Sequence, residues 1–430
     1  MAKPALPAKL NICFVAKKFP ILSRAVDHGF LWPIAKGLTA LGHKVTILAG
    51  QNPQGKKEII EGNIRALYLQ EATLSRSAAF SDLVHAKFIE LHRQEPFHIL
   101  HSLDTSAVSL EKIKKQLKFA LAFDVEATQI AQVLAIIGMA QENFASIINT
   151  GTAVSYKFLR TYLGSDRALL NSADGMFVTT PQQRIVLERY YLYPDSRIYT
   201  VPYGIEMKNL ELKPKPEALM KEVGLPEGTQ VVLTITDMTE LEELKHLLVA
   251  FQKVTIKKPS TRLIIIGNGP LKKEIEYQML TLALGSRVIF AGAVAADVIS
   301  DYISLCDVYV NLSARTSGFE PTMLEAMAQK KVIVGSEVSP IANIVEDGRD
   351  GFLIRPADTQ ALCTLLIDIF EFPLLSREIG ESARKKVVNL FDTDKMVKET
   401  TLAYYLILER TGWYSKAQTF DLPFHDAKQN

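Results

Sequence analysis

Between Val308 and Gly335 the chain reads as strand, loop, helix and strand in immediate succession. Val308–Asn311 is a short β-rich run, followed by a loop with Ser313, Thr316, Ser317 and Gly318. Pro321 suits a first helical position, where its missing N–H costs nothing. Leu324, Met327 and Ala328 recur at helical spacing, and Lys331–Gly335 resumes as strand. Two strands joined by a helical crossover pair in parallel, so the fold needs helices packed on sheet faces. The same order sets up a chemical site. The free N–H groups and positive dipole end of the helix face the loop, which suits an anion such as phosphate. Glu325, about one turn into that helix, suits a ribose diol.

The alternation runs through the whole chain. Leu10–Val15 is a continuous apolar run of the kind buried in parallel sheets. A helix carrying Leu31, Ile34, Ala35 and Leu38 closes at Gly42-His43, and Lys44–Leu48 is the next strand. Further strand-like runs are Ile64–Leu69, Ile99–His101, Phe119–Phe123, Leu170–Thr180 and Ile198–Gly204. After Pro202 and Gly204, residues 207–216 hold few apolar positions, which marks a boundary. Six more runs follow: Val231–Ile235, Arg262–Ile266, Val288–Ala291, Val308–Val310, Lys331–Gly335 and Phe352–Ile354. With 430 residues, two domains are expected, at 1–206 and 207–394, with an amphipathic helix near 395–412 inside a terminal segment 395–430. The expected class is α/β, two Rossmann-like parallel-sheet domains facing across a cleft.

A net charge of +2 gives no footprint for nucleic acid. The N-terminus MAKPALPAKL lacks the apolar core of a signal peptide, and no apolar run approaches the ~20 residues of a membrane span. Cys13, Cys306 and Cys363 lie far apart in apolar settings, as reduced core thiols do, so a cytoplasmic protein is expected. The lysine-rich segment Glu111–Lys118 reads most simply as a solvated helix face, with peripheral contact to the inner face of a membrane as the alternative. His101 and Asp104 end a strand where α/β proteins place ligands.

The wording of Ser313–Gly335, S-x-x-x-x-GFE-x3-LEAMA-x3-VIV, resembles the donor-site signature of retaining glycosyltransferases of family 4. Gly42-His43-Lys44-Val45-Thr46, the turn Gly267-Asn268-Gly269-Pro270, Phe290-Ala291-Gly292 and Glu346–Ile354 resemble the same family, in the same order. The resemblance implies GT-B architecture, with the terminal helix crossing back to the first domain. It implies transfer of a sugar from a nucleotide sugar of UDP or GDP type to a glycan or lipid-linked acceptor, with no metal and no further cofactor. Glu325 would hold the ribose, Gly267, Asn268 and Gly269 would lie beside the nucleotide, and Gly318, Phe319 and Glu320 would lie at the sugar. Asp124 stands near the family's histidine beside the transferred sugar. Gly29 and His101 fall on the acceptor side.

Several positions depart from that pattern. The family's first signature glutamate falls on Ser317, and a glycine of its loop on Glu320. The block Thr236–Glu243 stands where the family places an Arg and a Lys on the diphosphate, and those two positions read Asp237 and Glu242. Like charges at ~4 Å in a partly screened site repel by about 4 kcal/mol, so replacement cations are needed, with Lys245 and Arg315 as candidates. An Asp237–Glu242 metal bridge is the weaker option. The catalytic set is therefore expected at Asp124, Ser317 and Glu325. The donor set is expected at Thr236, Asp237, Glu242, Lys245, Gly267, Asn268, Gly269, Arg315, Gly318, Phe319, Glu320 and Glu325. A degenerate relative that binds a nucleotide, glycan or partner enzyme without transfer is the competing expectation.

Overall fold

The computed structural model describes residues 3–17, 31–50, 56–69, 77–125, 165–206, 211–294, 296–313, 321–338 and 341–415. Two sheets organise them. The first has the order β3-β4-β2-β1-β5-β6-β7-β8. Its strands are β1 Asn11–Ala16, β2 Lys44–Ala49, β3 Glu58–Glu61, β4 Ile64–Tyr68, β5 Ile99–Ser102, β6 Ala120–Asp124, β7 Gly175–Val178 and β8 Ile198–Thr200. The second has the order β11-β10-β9-β12-β13-β14. It is built from β9 Val231–Ile235, β10 Arg262–Ile266, β11 Val288–Gly292, β12 Val308–Asn311, β13 Val332–Ser336 and β14 Phe352–Ile354.

All pairings are parallel except β3 with β4. Strands covered on both faces have no polar face to present, which is why β1 and β6 are buried at every position. Chain order reverses at β1 in the first sheet and at β9 in the second. Ligand crevices of α/β proteins form outside the carboxyl ends of strands at such reversals.

Most expected strands appear within a residue or so of the runs read from sequence, with three corrections. Leu170–Ser172 belongs to the helix Ser165–Ser172, because Leu169 and Leu170 bury a helical face. Asp174, just before β7, then accepts the Leu121 N–H at 2.9 Å. The run Ile198–Gly204 pairs only as far as Thr200, since Pro202 has no N–H to donate to a ladder. The lysines of Glu111–Lys118 are not one solvated face. Lys114 is buried and donates to the Ser172 carbonyl at 2.6 Å and the Asp174 carboxylate at 2.8 Å.

The two halves meet where the chain passes between the sheets twice. Ile205 donates its N–H to the Phe391 carbonyl at 2.8 Å and bridges to Asp392. A Cβ on Gly204 would lie 2.5 Å from the Thr393 nitrogen, so only glycine lets these strands of chain touch. From there the helix Thr393–Thr411, capped by the Asp392 side chain on the Asp394 N–H, returns to the first sheet. It packs on the helix Leu31–Ala40 with Gly37 against Val397, and the Tyr405 hydroxyl donates to the Ala8 carbonyl at 2.9 Å.

No single helix among the described residues is long and apolar enough to cross a membrane. Thr359–Glu371 and Pro373–Leu390 reach that composition only as a pair bent by 101°.

Candidate active site

The reversal at β9 brings the loop after Ile235 against the loop after Asn311. Side chains fold the first of these loops locally. The Thr236 hydroxyl accepts the Met238 N–H at 3.1 Å and donates to the Glu243 carboxylate at 3.2 Å. Asp237 closes an Asx-type turn, accepting from the Thr239 N–H at 3.2 Å and hydroxyl at 2.8 Å. Between them Met238 is buried at φ +51°, a left-handed conformation held by the hydrogen bonds on either side. Glu240 then reaches across the reversal, accepting from the Ser313 hydroxyl at 3.0 Å, while the Ser313 N–H donates to the Asn311 side chain at 3.1 Å.

The helix Leu241–Lys257 follows, with Glu242 and Glu243 in its first turn, where carboxylates stabilise the positive dipole end. Glu242 is exposed and lies 3.5 Å from Lys245 and 3.3 Å from His246. Lys245, expected as a replacement cation, is thus the i,i+3 partner of Glu242 on the helix surface. Asp237 and Glu242 are engaged by different neighbours. Among the described residues no three His, Cys, Asp or Glu side chains gather as a metal site.

Gly267 and Gly269 have a cause inside the fold. Gly267 has φ +129°, and a Cβ there would sit 1.7 Å from the Thr236 carbonyl oxygen; on Gly269 it would sit 1.8 Å from that of Asp237. The glycine turn after β10 therefore lies directly on the loop after β9, tied by the Leu271 N–H to the Met238 carbonyl at 3.2 Å. Asn268 is exposed between them.

The helix Pro321–Ala328 is buried at every residue. Glu325 is 7% exposed, one turn inside, and the Thr322 hydroxyl of the same helix meets that of Tyr309 on β12 at 2.9 Å. Arg315, Ser317, Gly318, Phe319, Glu320 and Gly29 lie outside the described residues.

In the first sheet, Asp104 is structural. It caps the short helix Thr105–Leu110 through the Ser106 N–H at 2.7 Å and accepts the Lys17 N–H at 2.8 Å. His101 and Asp124 come together from neighbouring strands, with Nε2 and Oδ1 3.6 Å apart, and both are buried. His101 Nδ1 lies 2.7 Å from the Tyr404 hydroxyl on the returning helix. Sequence reasoning did not single out Tyr404, and it placed Ser313 and Glu240 in their loops without pairing them. Tyr404 is indistinguishable by pattern from any other apolar position on an amphipathic helix, and Glu240 sits in an unremarkable acidic run.

Residues 216–386 match the family of glycosyl transferases group 1. N-acetyl-alpha-D-glucosaminyl L-malate synthase from Bacillus anthracis is 27% identical over 254 residues, covering 58% of this chain and 65% of that protein. Alpha-monoglucosyldiacylglycerol synthase from Streptococcus pneumoniae is 24% identical over 192 residues, covering 44% of this chain and 43% of that protein. The chain thus spans less than two thirds of the length of these relatives. Among solved structures, sucrose-phosphate synthase from Thermosynechococcus elongatus superposes with a TM-score of 0.76 at 18% identity, covering 94% of this chain and all of that one. HepE from Anabaena, solved with UDP-glucose, superposes with a TM-score of 0.69 at 16% identity, covering 94% and 99%. The chain has the GT-B fold, and residues 216–386 within it match the family of glycosyl transferases group 1.

Proposed function

We propose that this chain transfers a sugar from a nucleotide sugar to a glycan or lipid-linked acceptor, with retention at the anomeric carbon. The observation that carries the reading is Glu325, a buried carboxylate one turn into the helix Pro321–Ala328 at the carboxyl end of β12. That helix starts beside the chain reversal, where α/β folds take nucleotides, and its free N–H groups favour the donor phosphates. Glu325 would accept hydrogen bonds from the ribose diol. Asp124, at the end of β6 in the other sheet, would meet the transferred sugar. The departing diphosphate draws on the helix dipole and on Arg315, because Lys245 is shared with Glu242.

A second reading, a binder without transfer, is favoured by one observation. The loop and first helix turn after β9 present Asp237, Glu240 and Glu242 where a diphosphate calls for cations.

Isothermal titration with UDP and with GDP, followed by turnover of the corresponding nucleotide sugars, tests both. Binding of one nucleotide that weakens at least tenfold in Glu325→Gln, together with turnover, is expected. Absence of binding at millimolar nucleotide sinks the transferase reading. Binding without turnover on any acceptor supports the second.

A further inference from the structure

The helix Thr393–Thr411 does more than fasten the two halves together. Its Tyr404 is fully buried against the first sheet, in edge-to-face contact with Phe177 and with His101, whose ring centroids lie 5.6 Å and 5.8 Å away. Gly175 permits this approach, since a Cβ there would sit 2.5 Å from Ile407 on the same helix. The His101 ring is held between Phe14 and Phe177, at 5.3 Å and 4.4 Å, so it has little freedom to rotate.

The hydrogen-bond chemistry then runs in one direction. Burial, and secondarily the Asp124 charge, holds the Tyr404 phenol well above its ordinary range, so the hydroxyl keeps its proton. His101 Nδ1, 2.7 Å away, is the only hydrogen-bond partner of this hydroxyl among the described residues, so donating to it is what satisfies the buried O–H. A neutral imidazole that accepts at Nδ1 carries its own proton on Nε2. Nε2 has no hydrogen-bond partner among the described residues, and the nearest acidic oxygen is Asp124 Oδ1, 3.6 Å away. This is too long for a hydrogen bond and short enough to become one through a small shift of either side chain. A buried N–H without a hydrogen-bond partner among the described residues gains by that shift.

We propose that Tyr404, His101 and Asp124 form a positioning relay. Tyr404 fixes the tautomer of His101, and the resulting Nε2–H orients the Asp124 carboxylate at the carboxyl end of β6. His101 and Tyr404 act through Asp124 and do not themselves touch substrate. The first sheet's half of the site is therefore completed by a helix that enters from the second half of the chain. The role of the relay in turnover rests on the proposed sugar transfer; its tautomer chemistry does not.

The test separates the two. In long-range proton–nitrogen spectra of full-length protein labelled with 15N-histidine, His101 is assigned by the signal missing in His101→Gln. Wild type is expected to show the Nε2–H tautomer, and Tyr404→Phe a shift toward the Nδ1–H form. An Nδ1–H tautomer in wild type, or an unchanged one in Tyr404→Phe, overturns the relay. In turnover assays Tyr404→Phe is expected to lower kcat about tenfold while KM for the donor changes less than about twofold. Unchanged kcat overturns the positioning role. The expected tautomers in a wild-type protein that turns over no donor would count against sugar transfer and support the relay as a structural device.

Discussion

Gly267 lies so close to Thr236 that a Cβ on the glycine would stand 1.7 Å from the threonine carbonyl oxygen. Gly269 repeats the contact one step on, with the Asp237 carbonyl at 1.8 Å. Two loops at the carboxyl edge of the second sheet thus share one backbone layer, and the turn that resembles a nucleotide contact is first a packing device.

Gly267→Ala must open that layer and also hold alanine at φ +129°. Overpacking and left-handed strain together cost about 2–5 kcal/mol. The melting temperature should fall by several degrees or more, because each kcal/mol moves a domain of this size by about 2–4 °C. Thermal unfolding followed by circular dichroism measures it, and a change below about 1 kcal/mol would refute the close approach.

Gly37 and Val397 define the contact between the returning helix and the first half of the chain. A Cβ on Gly37 would meet Val397 Cγ2 at 2.2 Å. Gly37→Ala is therefore expected to cost about 1–3 kcal/mol, and Val397→Ala a smaller amount through lost burial. Combined, the two should cost at least about 1 kcal/mol less than their sum, because the second removes what the first collides with. Strict additivity in urea titrations would show that the helix does not sit there.

His43 makes stability sensitive to acid. Its Nδ1 accepts the Leu10 N–H at 3.0 Å, and burial, with the charges of Lys9 and His98 adding, lowers it to about 4. The folded-state value lies below the unfolded value of about 6.5, so the unfolded chain takes up the proton first. Stability is then complete above pH ~6.5 and declines as the pH falls toward about 4. Burial lowers His92 and His98 in the same direction. His43→Asn keeps an acceptor for Leu10 without the titration, and should flatten part of this acid slope in denaturant titrations between pH 7.5 and 4.5. An unchanged slope would mean that His43 is not the titrating group.

The strands of both sheets were legible because burial on two faces forces continuous apolar runs, and Val231–Ile235 and Arg262–Ile266 show it within their own residues. β3, Glu58–Glu61, escaped because it is short, carries glutamate at both ends and pairs antiparallel at an edge. The carboxylate pattern of the site was equally open to reading. Asp237 follows β9, Glu242 lies in the first turn of the next helix and Glu325 one turn into the helix Pro321–Ala328, positions that strand and helix periodicity alone can assign.

What those carboxylates do was decided elsewhere. The Glu240–Ser313 hydrogen bond joins residues 73 positions apart, and the Tyr404–His101 bond residues 303 positions apart. Lys114 reads as one more surface lysine until Asp174 meets it at 2.8 Å. Sequence by itself determined the parallel α/β class, the paired sheets and the helix that presents Glu325, because backbone pairing and burial act over a few neighbouring residues. Only the tertiary structure decided which polar groups share a buried space. That choice depends on which loops the sheet order and the returning helix bring into contact, and no local pattern encodes it.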